Sequence, residues 1–196
     1  MRLSSVALWI GLAACFAAGP VAAQDAVTTD DIVHSLKPHP RTRGAPAMRP
    51  EDAAFIESVK HRARGLDVEE RAQLATVAAY ANLPAIDLEV TFALDSAEIV
   101  GSAVATVDKL GAALQSPQLA DSAYLIAGHT DARGAREYNQ TLSERRAEAV
   151  KAYLTRKFAI APERLLAVGY GQEKLKNTSD PLADENRRVE VVNLGK

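Results

Sequence analysis

The chain has 196 residues but a single cysteine, Cys15. An internal disulfide framework is therefore impossible, and so is a cysteine-built zinc site. Histidine is scarce as well: His34, His39, His61 and His129 are the whole set, and three of them precede the region with regular alternating patterns. A folded three-ligand metal centre is not expected, nor is any cofactor. Aromatic residues make up only 5%. No charge of one sign dominates: 23 Lys and Arg stand against 25 Asp and Glu, a net charge of −2. Without a basic field, nucleic acid is not an expected partner. Long apolar runs are missing everywhere except at the start of the chain.

That start is an address. Met1–Ala23 carries one charge, Arg2, followed by the almost wholly apolar or small LSSVALWIGLAACFAAGPVAA. A positive beginning, an apolar middle and a small-residue end form a secretory signal over residues 1–23, and Val21-Ala22-Ala23 suits cleavage before Gln24. Leu12-Ala13-Ala14-Cys15 also looks like a lipobox, in which Cys15 would carry lipid and begin the mature chain. The apolar run continues through Phe16-Ala17-Ala18, which favours simple cleavage, but both readings stand. An uncleaved anchor of 21 residues is long enough to span a bilayer, although Pro20 and the many alanines weigh against it. Export is expected in each case.

Residues 24–84 have the composition of a tether, with Pro38, Pro40, Pro46 and Pro50 interleaved with Arg41, Arg43 and Arg49. Short helices are expected within it. One runs from Thr29 to Leu36 and stops before Pro38. A second amphipathic turn or two falls within residues 51–64. A third begins at Asp67, with Glu70 as its capping-box partner, and continues with Leu74, Val77, Ala78 and Ala81 towards Pro84. Spacing or bracing the following domain is their preferred role. No partner for this stretch is identifiable.

Residues 85–196 alternate strand and helix patterns. Ile86–Phe92 has period two, and Gly101–Leu114 has helical spacing at Val104, Val107, Leu110 and Leu114. Tyr124–Ala127 is apolar on both faces, as a central strand is. A long helix is expected from about Arg136 to Phe158. Leu165–Val168 forms a third strand, stopped by the Gly169-Tyr170-Gly171 turn, and Arg188–Leu194 is the last. The order β-α-β-α-β-β predicts an α/β (α+β two-layer) fold, a small mixed sheet with helices packed on one face.

The long helix carries the informative residues. At about 100° per residue from Leu142, Tyr153 lies near 20° and Val150 near 80°, marking an apolar stripe. Arg146 (about 40°) and Asn139 (about 60°) fall inside that stripe, whereas Arg145 points elsewhere. A guanidinium on an inward face needs a partner, because an unpaired buried charge is costly. Asp131 is the nearest in sequence, in a segment leaving the C-terminal end of the second strand, where open α/β sheets bind ligands. The free N–H groups and positive dipole end of the helix favour a carboxylate. A zwitterionic amino-acid head group fits this set, its carboxylate on Arg146 and its ammonium on Asp131. An internal Asp131–Arg146 salt bridge accounts for the spacing equally well.

The segments Gly128-His129-Thr130-Asp131-Ala132-Arg133-Gly134, Tyr138-Asn139 and Leu142-Ser143-Glu144-Arg145-Arg146-Ala147 closely resemble the OmpA-like C-terminal domain. Phe92 with Ser96 and Ile99, Arg164-Leu165 with Gly169-Tyr170-Gly171, and Asn186-Arg187-Arg188-Val189-Glu190 are similar to further motifs of that family, in family order. The similarity covers about residues 86–194. Gln172-Glu173-Lys174-Leu175 lacks the family's usual loop proline, and Ala135 stands where serine is frequent. The resemblance implies noncovalent peptidoglycan binding through the diaminopimelate of the stem peptide, as in peptidoglycan-associated lipoproteins. It places Asp131, Arg146, Asn139 and Arg187 at ligand-contacting positions, with Thr130 and the Asp95-Ser96 turn lining the same pocket. It also implies the strand order 1-4-2-3 and no enzymatic activity. A wall-clamping subunit of a stator or secretion complex is the alternative, although residues 3–23 lack the acid a proton-conducting helix would need. A wall hydrolase lacks a nucleophile: Ser143 lies mid-helix, with no strained elbow to present it.

Overall fold

The computed structural model describes residues 27–38, 48–60, 66–90, 92 and 96–196. The expected signal segment, Cys15 and Asp95 lie outside the described residues. Among the described residues, five helices and four strands follow one another as α1 (Thr29–Leu36), α2 (Pro50–Lys60), α3 (Val68–Tyr80), β1 (Ala85–Leu88), α4 (Ser102–Leu114), β2 (Ala123–His129), α5 (Arg136–Phe158), β3 (Leu165–Gly171) and β4 (Val189–Gly195). Two 3-10 turns, Pro162–Arg164 and Asp184–Asn186, lead into β3 and β4. The sheet order is β1-β4-β2-β3, with β4 antiparallel to both neighbours and β2 parallel to β3. This is the mixed sheet that the sequence predicts.

Local chemistry fixes the helix starts. Thr28 and Asp31 form a reciprocal capping box at α1, and Asp67 and Glu70 form one at α3. The strands run longer than their patterns. Gly169-Tyr170-Gly171, expected as a turn, forms the last three residues of β3, which pair with β2. The first strand is shorter, ending at Leu88; Phe92 contributes only an isolated bridge to Ile99.

One face of the sheet meets α1, α4 and α5 in a core that includes Leu110, Leu114, Tyr124, Ile126, Val150, Leu154 and Val191, all fully buried. Within residues 85–196 the layering is therefore the two-layer arrangement expected. The opposite sheet face carries α2 and α3. Ile56, Val59, Leu66, Leu74 and Val77 pack there with Leu125, Leu166, Val168 and Val192. A tie between Tyr80 and Asp52 joins α3 to α2, and Arg49 closes on the same carboxylate at 2.6 Å. Helix α1 belongs to the first face: Ile32 and Leu36 have no exposed surface, and Asn193 Nδ2 in β4 donates to the Leu36 carbonyl at 2.8 Å.

The seat of α5 differs from the sequence expectation in one respect. Its buried residues are Asn139, Leu142, Ser143, Ala147, Val150 and Leu154, so the inward stripe centres near 80° on the wheel rather than on the arc from Tyr153 to Arg146. Small residues cause the rotation. Gly128 and Gly169, on neighbouring strands, lie directly beneath the helix. A Cβ on Gly128 would come within 2.2 Å of the Ser143 carbonyl oxygen, and one on Gly169 within 2.4 Å of the Glu144 nitrogen. The Ser143 hydroxyl is used in this contact, donating to the Gln140 carbonyl and accepting from the Gly171 N–H, each at 2.8 Å. Large apolar side chains define a stripe on a wheel, but the closest approach is made where side chains are missing.

Candidate functional site

The site lies at the C-terminal end of β2, where the chain leaves the sheet and enters α5. Asp131 is 5% exposed. Its Oδ1 accepts from the Arg133 N–H at 3.0 Å, the usual local turn of an aspartate. Its Oδ2 accepts from Arg133 Nη1 at 3.1 Å and from Arg187 Nη1 at 2.9 Å. Arg187 also reaches Asp184 Oδ1 at 2.8 Å. The result is a charge ladder, Arg133–Asp131–Arg187–Asp184. Hydrogen bonds from Arg187 hold the exposed Asp184 carboxyl below the usual aspartate range, and the two carboxylates raise the Arg187 guanidinium.

Beside the ladder is a cavity of about 290 Å³ lined by Glu89, Val90, Phe92, Arg146, Asp184 and Arg187. Arg146 is half-buried, with its guanidinium carbon 4.8 Å from the centre of the Phe92 ring and its Nε donating to the Ser96 carbonyl at 3.1 Å. The sequence-predicted residues thus meet in a different pairing. Arg187, not Arg146, forms the ion pair with Asp131, and the internal Asp131–Arg146 bridge gives way to the pairs with Arg133 and Arg187. The rotation of α5 explains this: Arg146 sits at the edge of the buried stripe and leans over Phe92. Arg146 and Arg187 come together by lining one cavity.

Asn139 has a supporting role. Fully enclosed, it donates through Nδ2 to the Arg133 carbonyl at 2.8 Å, to the Asp131 carbonyl at 3.3 Å and to Gln172 Oε1 at 2.6 Å. It pins the Asp131 loop to the end of β3. Thr130 anchors the same loop through its N–H, which bonds the Gly171 carbonyl at 2.9 Å, while its buried Oγ1 has no hydrogen-bond partner. Ala135 is the N-cap of α5 and makes no side-chain cap, leaving first-turn N–H groups available.

Sequence reasoning missed Glu89, Asp184 and Arg133 as members of the site, and it assigned Phe92 only to a strand. Asp184 carried a legible signal, because it stands three residues before Arg187 and a tight turn brings such residues together. Nothing in the sequence pointed to Glu89.

His129 faces the other way. It is 2% exposed and stacks on Tyr170, with ring centroids 5.5 Å apart. Burial lowers its pKa; the Glu190 carboxylate, 3.4 Å from Nε2, opposes that shift and the Arg188 charge reinforces it. Its folded pKa therefore lies below the unfolded value of about 6.5, and the folded state binds fewer protons under acid conditions. Stability is fully present above that value and is lost as pH falls through it, with a slope of up to about 1.4 kcal/mol per pH unit for one proton. Thermal melts between pH 7 and pH 5 should show a steeper loss for the wild type than for His129→Phe. Identical pH profiles for the two would contradict this account.

Among the described residues, no group of three or more His, Cys, Asp or Glu side chains is arranged to hold a metal ion, and no helix is long and apolar enough to cross a membrane.

This geometry can be set beside known proteins. The OmpA family matches residues 91–188. The chain is 33% identical over 121 residues to outer membrane porin F of Pseudomonas aeruginosa, a match covering 58% of this chain and 32% of the porin. It is 44% identical over 70 residues to a peptidoglycan-associated lipoprotein of Legionella pneumophila, covering 35% and 39% of the two chains. A peptidoglycan-associated lipoprotein from Burkholderia pseudomallei superposes with a TM-score of 0.45 at 31% identity, over 53% of this chain and 87% of that one. The chain thus spans about a third of the porin and two fifths of the Legionella lipoprotein. The family match takes in the β2 end, α5 and the Arg187 turn, the elements that build the charged cavity, and this chain belongs to the OmpA family.

Proposed function

We propose that the protein binds peptidoglycan noncovalently, holding the diaminopimelate of a stem peptide, and anchors the cell envelope to the wall without catalysing a reaction. The observation that carries this reading is the cavity between Arg146 and Arg187, with the Asp184 carboxylate in its lining and Asp131 tied to Arg187 behind it. An amino-acid head group brings one carboxylate and one ammonium. Two guanidiniums complement the first and the acidic ladder complements the second. Arg133, whose side chain is 60% exposed, is free to swing away from Asp131 when an ammonium arrives. The unpaired Thr130 hydroxyl lies in the same loop. Asp95 belongs to the same proposal on the resemblance of the Asp95-Ser96 turn alone; Ser96, the following residue in sequence, accepts from Arg146 through its carbonyl. The names of the lipoprotein relatives support the ligand class.

The accompanying proposal for the chain is export by residues 1–23, a linking segment over 24–84 and a wall-binding unit over 85–196. The protein is placed in the periplasm or on the periplasmic face of the outer membrane, with Cys15 a lipidation site if cleavage precedes it. Mass spectrometry of the mature N-terminus distinguishes Gln24 from acylated Cys15.

Purified sacculi test the binding. The wild type should co-sediment, and Asp131→Ala and Arg146→Ala should each lose at least about tenfold in affinity, the expected effect of removing a charge-assisted hydrogen bond. Equal sedimentation of all three proteins would refute the proposal, as would release of soluble muropeptides for its noncatalytic part.

A further inference from the structure

The two residues flanking Thr130 serve different cavities. Asp131 is tied to Arg187, which lines the first, whereas His129 lines a second cavity of about 390 Å³ between α3 and the sheet. Helix α3 presents only Ala75, Ala78 and Ala79 to that space, opposite Leu125 and Val192 of the sheet. Methyl groups do not reach across it, so apolar walls are left without packing partners.

The polar end of this cavity carries charges of both signs. Arg188 Nε donates to Asp87 Oδ1 at 2.8 Å, and Lys176 shares the same carboxylate at 2.9 Å. Lys174 and Glu190 add one ammonium and one carboxylate to the lining. No carboxylate is left over to select a cation. The surplus positive charge rests on lysines that stand in solvent, where water screens it, so an anion is not selected either. A charged ligand would lose hydration here without gaining an unshared counter-charge.

The group that lacks a counterpart is a neutral one. His129 is buried, and neither of its ring nitrogens has a hydrogen-bond partner. Burial keeps the ring uncharged, so one nitrogen bears a proton and the other is a bare acceptor. The Glu190 carboxylate, 3.4 Å from Nε2, favours the proton there and leaves Nδ1 as the acceptor. The Tyr170 hydroxyl does not serve the ring, because it is given to the Arg71 carbonyl at 3.2 Å. A ligand hydroxyl does: it donates to a bare nitrogen or accepts from a protonated one, and so suits the ring in either tautomer.

We propose that the cavity between α3 and the sheet binds a compact, uncharged apolar molecule bearing one hydroxyl, with its apolar body against the alanines of α3 and its hydroxyl on the His129 ring. The site stands apart from the wall-binding proposal and does not depend on it.

Amide chemical-shift titration of the full chain at pH 7 with p-cresol tests this, with toluene as the matched molecule lacking the hydroxyl and benzylamine and phenylacetate as charged controls. The cresol should give saturable shifts at Ala75, Ala78, His129 and Tyr170. Toluene should bind about three- to tenfold more weakly, the loss expected for one neutral hydrogen bond, and the charged controls more weakly than the cresol. His129→Phe, which keeps a ring on Tyr170 and removes the nitrogens, should bring the cresol down to the affinity of toluene and leave toluene unchanged. Should that variant fail to fold, Ala78→Phe, which fills the space from the helix side, should abolish the shifts with both molecules. No saturable shift up to about 5 mM cresol, a weak limit for so small a ligand, would overturn the proposal. So would equal binding of cresol and toluene, binding of either charged control as tight as the cresol, or unchanged cresol affinity in Ala78→Phe.

Discussion

Gly128→Ala is expected to lower the melting temperature by about 6–12 °C. The added methyl would lie 2.2 Å from the Ser143 carbonyl oxygen and 3.0 Å from its carbon, both backbone atoms of a 23-residue helix. No rotamer change relieves a contact with backbone, so α5 must lift from the sheet. Overpacking of this kind costs about 3 kcal/mol or more, and each kcal/mol moves the melting point of a domain this size by roughly 2–4 °C. Gly169→Ala should behave alike, because its Cβ would meet the Glu144 nitrogen at 2.4 Å. Gly134→Ala is the control. Gly134 has φ +87° but nothing within 4 Å of an added Cβ, so only backbone strain of about 1–2 kcal/mol is expected. If the Gly128 and Gly134 variants melt together, the close helix–sheet contact is not the stabilising feature described above. The Gly128 variant should also weaken sedimentation with sacculi, since α5 carries both Asn139 and Arg146.

The second large effect is expected far from the charged cavity. Leu36→Ala should destabilise the fold by about 2–5 kcal/mol, the usual range for truncating a fully buried leucine. Leu36 ends an eight-residue helix whose sequence position assigns it to a linking segment. The structure gives it a core role: Ile32 and Leu36 are wholly enclosed with Leu88, Leu119 and Val191, and the Leu36 carbonyl is bound by Asn193. Urea denaturation should show one cooperative transition shifted to lower denaturant, with an unchanged slope. A shift worth less than about 0.5 kcal/mol would mean that α1 is an ornament on the sheet. Asn193→Leu should cost about 1–3 kcal/mol through the stranded carbonyl, and it should be strongly non-additive with Leu36→Ala because the two residues touch.

These cases show what the sequence carried. The bounds of α5 and the α3 capping box were readable, because periodicity and caps are local or repeated signals, whereas the strand order came only from the family resemblance. The extension of β3 through Gly169-Tyr170-Gly171 was not. Glycines read as turn residues, yet here they are strand residues made small by the helix above them. The same contact shifted the inward stripe of α5 and with it the partner of Asp131. Residues 131, 139, 146 and 187 could be named from motifs. The Arg187–Asp131 pair depends on where β4 begins relative to β2, a register that only the folded sheet fixes. Similarly, nothing in the composition of residues 48–80 revealed that α2 and α3 would roof the second sheet face.

The clasp between Leu36 and Asn193 also has a mechanical meaning. Under the wall-binding proposal, a protein held at one end by a rigid polymer and at the other by its upstream chain would carry tension. Pulling from the N-terminal side would load α1 first and then, through the Asn193 amide, the interior strand β4. That strand begins two residues after Arg187. Force entering at one end of β4 is thus delivered along the strand towards the guanidinium at its other end, so the grip and the strain share a single line through the sheet.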